Sequence, residues 1–306
     1  MRSTSFAAVA AVVFIISGCV KETAPDPHLG GIQPLKETAL FQEAAKGQFK
    51  LELLHAEYIT AGGSAQMGQT VFFKNTGNKQ LSTDFVPGDP RRGGRTNITY
   101  AIDKETTADN GLSMMMVQDA LARSMNTWDE VNCSNLNITR VPFSGNLGIY
   151  GQLLGFGNYD DNIVADVQHS GFLPGAFFDQ IAPGGSAYIL GVTFTFVFVT
   201  LPDGNTTDIN GDGKIDVGMR EIYYNDAFNW ATNGTAGIDI ETIALHEAGH
   251  GLSQAHFGKA TLTEANGKLH LSPRAVMNAA YTGVQRQLAG TDLGGHCSNW
   301  GSWPQP

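Results

Sequence analysis

His246-Glu247-Ala248-Gly249-His250-Gly251-Leu252-Ser253-Gln254-Ala255-His256 is the stretch on which the reading of this chain turns. His246 and His250 are four residues apart. On a helix that spacing sets both imidazoles on one face, close enough to share a metal. Glu247 lies between them, beside the metal but outside its ligands, where it can take a proton from a metal-bound water. His256 follows after a short stretch that can turn back and offer a third nitrogen. Three imidazoles plus one water make the open tetrahedral site expected of a catalytic zinc. The pattern therefore predicts a helix from about Ile240 to Leu252, capped by Asp239.

With the residues downstream, this stretch resembles the metzincin metalloproteases, and most closely the matrixin branch in bacterial form. Their pattern is HExxHxxGxxH followed by a methionine turn. His246, Glu247, His250 and His256 fill the ligand and base positions. Met277, in Arg274-Ala-Val-Met-Asn-Ala-Ala-Tyr281, is similar to the turn methionine, and Tyr281 to the tyrosine that follows it. The run 220–230, the lead-in from Gly237, Thr291-Asp-Leu-Gly-Gly and Trp300-Gly301 extend the likeness over roughly residues 95–301. It implies an α+β metzincin fold: a twisted mixed β-sheet of about five strands, a first long helix, an active-site helix and a C-terminal helix. It also implies that Asp292 helps to hold the methionine turn, and that Met277 packs beneath the zinc without binding it.

Two departures stand out. Ser253 occupies the position where the family has glycine. That position bends the chain toward the third ligand, and a left-handed backbone costs a non-glycine residue about 1–2 kcal/mol. Gly251, two residues earlier, offers another place to bend. Glu264 is the rival third ligand, as in zincins that use a downstream carboxylate. The second departure is that no propeptide cysteine motif precedes the domain, so any latency works another way.

The chain has 306 residues, enough for one sizeable domain with extensions. Its net charge of −10 and lack of a basic patch argue against a nucleic-acid partner. Charged residues make up only 16% and glycines number 37, which suits a loop-rich secreted protein. Arg2 and the apolar run Phe6 to Ile16 read as a signal segment (residues 1–18), too short to span a membrane as a mature helix. It ends in Ile16-Ser17-Gly18-Cys19, similar to a bacterial lipobox, which implies lipid attachment at Cys19 and a membrane-anchored, extracytoplasmic place in the cell envelope. An outer membrane would follow if the envelope is Gram-negative. The alternative is an ordinary secretory signal. Cys133 and Cys297 then remain, and an oxidising compartment favours a disulfide over two buried thiols.

Residues 19–94 read as a tether and an N-terminal segment of unknown role, with an extended connector at 84–96. Catalytic-domain strands are expected at 97–102, 137–141, 163–167 and 188–201. A helix is expected from Leu112 to Val131, its Met115, Met116 and Met125 packing in the core. Asp208, Asn210, Asp212 and Asp216, with the Lys214 carbonyl, follow the first nine positions of an EF-hand-like loop and suggest a structural calcium; Met219 stands where the closing glutamate belongs. The alternative is a solvated Asp/Gly turn. His169 and His270 lack the partners of a second zinc site.

The expected function is a zinc-dependent endopeptidase acting on extracytoplasmic polypeptides. Two alternatives stay open: a catalytically inactive, lipid-anchored surface or binding protein on the same fold, and a zinc amidase acting on cell-wall peptides.

Overall fold

A computed structural model describes residues 49–77, 82–104, 112–156 and 163–305. The signal segment, the tether and Cys19 lie outside the described residues. The fold is mixed α/β. Strands β1 (Phe49–Thr60), β2 (Thr70–Phe72), β3 (Thr83–Asp84), β4 (Thr99–Ile102), β5 (Thr139–Arg140), β6 (Val167–Leu173), β7 (Ile189–Thr200) and β8 (Ile215–Asn225) form one sheet. Its order is β2-β1-β7-β8-β6-β4-β5, with β3 paired to β8. β4, β5, β6 and β8 run parallel, and β7 runs antiparallel to β8. The helices are α1 (Met114–Asp129), α2 (Ile149–Leu153), α3 (Gly175–Phe178), α4 (Ile240–Gly251) and α5 (Gly290–Trp300). A short pair β9 (Trp230–Ala231) and β10 (Ile238–Asp239) leads into α4, and a hairpin of β11 (Lys259–Thr263) and β12 (Lys268–Ser272) follows it. No helix among the described residues is long and apolar enough to cross a membrane.

The sheet has eight strands where about five were expected, and the addition comes from before residue 95. β1 pairs with β7 antiparallel along its whole length, from Phe49 opposite Thr200 to Thr60 opposite Ile189. The expected boundary at 94/95 therefore falls inside the sheet. The alternation in β1 is hidden by a bulge between Leu53 and His55. Leu51, Leu53, Ala56 and Tyr58 face one core while Leu54 and Ile59 face the other, so one extra residue breaks the period of two. The connector at 84–96 is also not a solvated linker. Arg92 donates to Asp166 at 2.9 Å, and Arg91 to Asp216 at 2.6 Å, all with buried side chains.

α1 begins where Ser113 accepts a hydrogen bond from the Met116 amide. Its buried face is Val117, Ala120, Leu121, Ser124, Met125 and Trp128. Met115 and Met116 were expected in the core, but both are exposed with Met114 in the first turn, because the apolar stripe enters the core only from Val117. The Trp128 indole donates to Leu245 O at 2.9 Å, docking α1 on α4. A disulfide between Cys133 and Cys297 ties the segment after α1 to α5.

Candidate metal centre

Every residue of α4 is buried, packed among α1, β7 and the rest of the sheet. Its start is held by Asp239, which accepts from the Thr242 amide at 2.9 Å and is paired with Arg286. A helix buried all round has no room to rotate, so its polar side chains have fixed directions.

His246 and His250 lie one turn apart on this helix, and the chain beyond it brings in His256. His250 Nε2 lies 3.0 Å from His246 Nε2 and 3.2 Å from His256 Nε2. Metal–nitrogen bonds of about 2.0–2.1 Å in tetrahedral geometry set ligand nitrogens about 3.3 Å apart. The far nitrogens face carbonyls: His246 Nδ1 lies 2.7 Å from Val276 O and His250 Nδ1 2.7 Å from Gln254 O. A carbonyl accepts only, so each Nδ1 carries the proton and each Nε2 turns a lone pair inward. These three residues form the sole cluster of metal-ligating side chains among the described residues. Burial, then the neighbouring His250, holds His246 well below the usual histidine range and His256 down to about 3, so both are neutral as ligands must be.

The turn into His256 is left-handed at Ser253, with φ +61°. Its neighbours hold it there. Arg220 Nη1 donates to Ser253 Oγ at 3.0 Å, and Asn299 Nδ2 donates to Ser253 O at 2.8 Å. Trp300 on α5 donates to Leu252 O at 2.8 Å. Glu264, the rival ligand, sits in the exposed turn of the β11–β12 hairpin, away from the cluster.

Met277 packs against Gly249, where a Cβ would come within 2.3 Å of its sulfur; only glycine fits between it and the helix. Asp292 accepts from the amides of Val276 at 2.9 Å and Met277 at 3.1 Å, which places Val276 O against His246. The Tyr281 hydroxyl accepts from the Asp239 amide at 3.3 Å, joining the segment after Met277 to the start of α4.

Glu247 is fully buried and accepts from Thr193 Oγ1 at 2.6 Å. Burial raises its pKa to about 7, opposed by His250 and the Thr193 hydroxyl. Oε1 of the same carboxylate has no hydrogen-bond partner. An orphaned buried carboxylate oxygen beside three inward-facing imidazoles fits a site built for a metal ion and its water.

Glu57 on β1 went unnoticed in the sequence. Its Oε2 lies 3.3 Å from His250 Nδ1 and 3.4 Å from His55 Nε2. Burial works against its charge, but His250 and His55 outweigh it and hold its pKa well below the usual range. The Glu57 charge in turn overcomes the burial of His250 and raises that imidazole. Carboxylates behind ligand histidines fix ring orientation and raise ligand basicity. No sequence signal separates Glu57 from its strand neighbours, because the contact is made across the fold.

Among the described residues, the carboxylates of Asp208, Asp212 and Asp216 do not form a cluster of metal-ligating side chains. Asp216 is turned to Arg91, Thr207 and the Ile209 amide. Asp208 accepts from the Gly213 amide and Asp212 from the Lys214 amide, while Asn210 accepts from the Asp212 amide. Lys214 reaches Asp84 at 2.7 Å. Arg91 supplies at Asp216 the positive charge that a cation would. His169, beside Tyr224 in the core, and His270, in the hairpin, likewise stand outside the cluster.

Comparison with family models and with curated proteins finds no match for this chain.

Proposed function

We propose that this protein is a zinc-dependent endopeptidase of metzincin type. The observation that supports the reading best is the convergence of three imidazoles on one point beside the buried, half-unpartnered carboxylate of Glu247. A zinc ion held by His246, His250 and His256 would polarise the scissile carbonyl and lower the pKa of a bound water toward ~7. Glu247 takes the proton from the attacking water and returns it to the leaving amine. Thr193 holds one carboxylate oxygen and leaves the other for this exchange. Met277 and Asp292 keep the floor of the site in place. The resemblance at the N-terminus adds a lipid anchor at Cys19 and a place in a bacterial envelope, acting on extracytoplasmic polypeptides.

One observation favours the second reading, a catalytically inactive surface protein. His246, Glu247 and His250 have no exposed surface, as in a purely structural metal site. The two separate in one assay. Zinc-loaded protein and its Glu247→Ala variant are compared for casein cleavage at equal zinc content. Cleavage by the parent alone, abolished by chelation, supports the peptidase. Equal zinc with no cleavage by either supports the inactive reading.

A further inference from the structure

We propose that the open edge of β11 is a docking site for substrate, taking a polypeptide segment of alternating apolar and acidic residues as a third strand beside the β11–β12 ribbon. The inference rests on the peptidase reading above and names the kind of polypeptide that would be brought to the metal centre.

The ribbon is fixed at its base and free beyond it. Lys259 follows the ligand His256 by three residues, so the chain carries it no more than about 11 Å away. The Phe257 amide donates to Met277 O at 2.7 Å. Asn278 Nδ2 donates to Phe257 O at 2.8 Å and to Pro273 O at 3.2 Å. These bonds tie the chain on both sides of the ribbon to the segment that carries Met277. Among the described residues, β11 pairs with β12 alone.

The register sorts the side chains onto two faces, because cross-strand partners share a face. Ala260 lies opposite Leu271 and Leu262 opposite Leu269, which makes one face apolar. Lys259 lies opposite Ser272, Thr261 opposite His270 and Thr263 opposite Lys268, which makes the other polar, with two lysines. Among the described residues, none of the four apolar side chains packs into the protein's hydrophobic clusters, and Leu262 is 63% exposed. Two strands alone are marginal, and a third strand with a shared apolar face is what stabilises such a ribbon. β11 is the more open edge: all its residues are exposed, whereas Leu269 and Leu271 of β12 are half-buried.

A strand added to β11 alternates its side chains over the same two faces. One set continues the apolar face beside Leu262, and the other lies beside Lys259. Among the described residues the lysines in ion pairs are Lys50, Lys74 and Lys214, which leaves Lys259 and Lys268 without a carboxylate partner in a chain of net charge −10. Lysine on an open edge discourages indiscriminate pairing, and an acidic strand meets it with opposite charge. Main-chain hydrogen bonds hold the segment, and its alternate side chains select it.

The test uses the zinc-loaded full chain and two fluorescein-labelled peptides of one composition, the first alternating valine and glutamate, the second carrying the same residues in blocks. Fluorescence anisotropy reads docking independently of turnover. The parent should bind the alternating peptide at least about tenfold more tightly than the block peptide. The exposed double substitution Lys259→Glu, Lys268→Glu should invert the charge preference, so that an alternating valine–lysine peptide binds in place of the valine–glutamate one. Joined to a cleavable sequence, the valine–glutamate segment should lower KM in the parent alone and leave kcat unchanged. Equal binding of both valine–glutamate peptides by the parent, or an unaltered charge preference in the variant, overturns the docking site and leaves the peptidase reading standing on casein cleavage. Docking that leaves KM unmoved overturns the ribbon as a substrate site. Failure of the zinc-loaded parent to cleave casein overturns the peptidase reading, and this inference with it.

Discussion

The Arg220 guanidinium donates through Nη1 to Ser253 Oγ and to Gly251 O, each at 3.0 Å. It is buried, and also reaches Thr83 and Thr195. The end of α4 is thus clamped from the sheet, and this clamp lets a serine occupy a left-handed position otherwise suited to glycine. The serine departs from the glycine of the metzincin pattern without losing the third histidine.

Ser253 variants separate strain from clamp. Ser253→Ala keeps the left-handed cost and loses a hydrogen bond to a buried charge, about 1.5–3 kcal/mol. Ser253→Gly loses the same bond but relieves about 1 kcal/mol or more of backbone cost. Chemical denaturation should rank the parent as most stable, glycine next and alanine last. Alanine at or above glycine would remove the clamp from the account.

Glu57→Gln keeps size and removes the charge facing His250. Carboxylates in this position change metal affinity by about 10–100-fold. Competition with a chelator should show zinc binding weakened by at least about tenfold, with the circular dichroism spectrum unchanged. Unaltered affinity would make Glu57 an ordinary buried ion-pair partner.

His169 makes the fold sensitive to acid. It is fully buried, and burial, with a smaller effect from Arg140, lowers its pKa from 6.5 to about 3. Below pH 6.5 the unfolded chain takes a proton that the folded chain refuses until about pH 3, so stability falls as pH falls through this window. The loss is roughly 2 kcal/mol by pH 5. His169→Gln should flatten the decline in denaturation midpoint between pH 6.5 and pH 4. A slope identical to the parent's would place the acid sensitivity elsewhere.

The Cys133–Cys297 bridge spans 164 residues of sequence. Closing a loop of that length constrains the unfolded chain by up to about 5 kcal/mol in the chain-entropy model. The double substitution Cys133→Ala, Cys297→Ala should lower the melting temperature clearly, and added reductant should then have no further effect on the variant. An unchanged melting temperature would argue against the bridge in solution.

The cluster of His246, His250 and His256 was legible in the sequence because its parts are local. His246, Glu247 and His250 need only helix periodicity, and His256 a short turn. Asp292 and Met277 were named through the resemblance; in the structure Asp292 accepts from the amides of Val276 and Met277, and Met277 packs against Gly249. Arg220, Thr193 and Glu57 were not read as parts of the site, since each reaches α4 from a strand distant in sequence. The region of β1, residues 35–60, stayed open between a short helix and a strand, because the bulge after Leu53 breaks the alternation by which strands are recognised. At the Asp208–Asp216 run, spacing could not show that Arg91, more than a hundred residues earlier, pairs with Asp216. Met115 and Met116 misled because apolar residues at helical spacing also occur on a helix's first exposed turn.

The most direct test of the central claim is zinc K-edge X-ray absorption on the full chain loaded with one equivalent of zinc. Tight uptake is expected, with a first shell of three imidazole nitrogens at about 2.0 Å and one further light atom. Failure to retain zinc, or a first shell without three imidazoles, would contradict it.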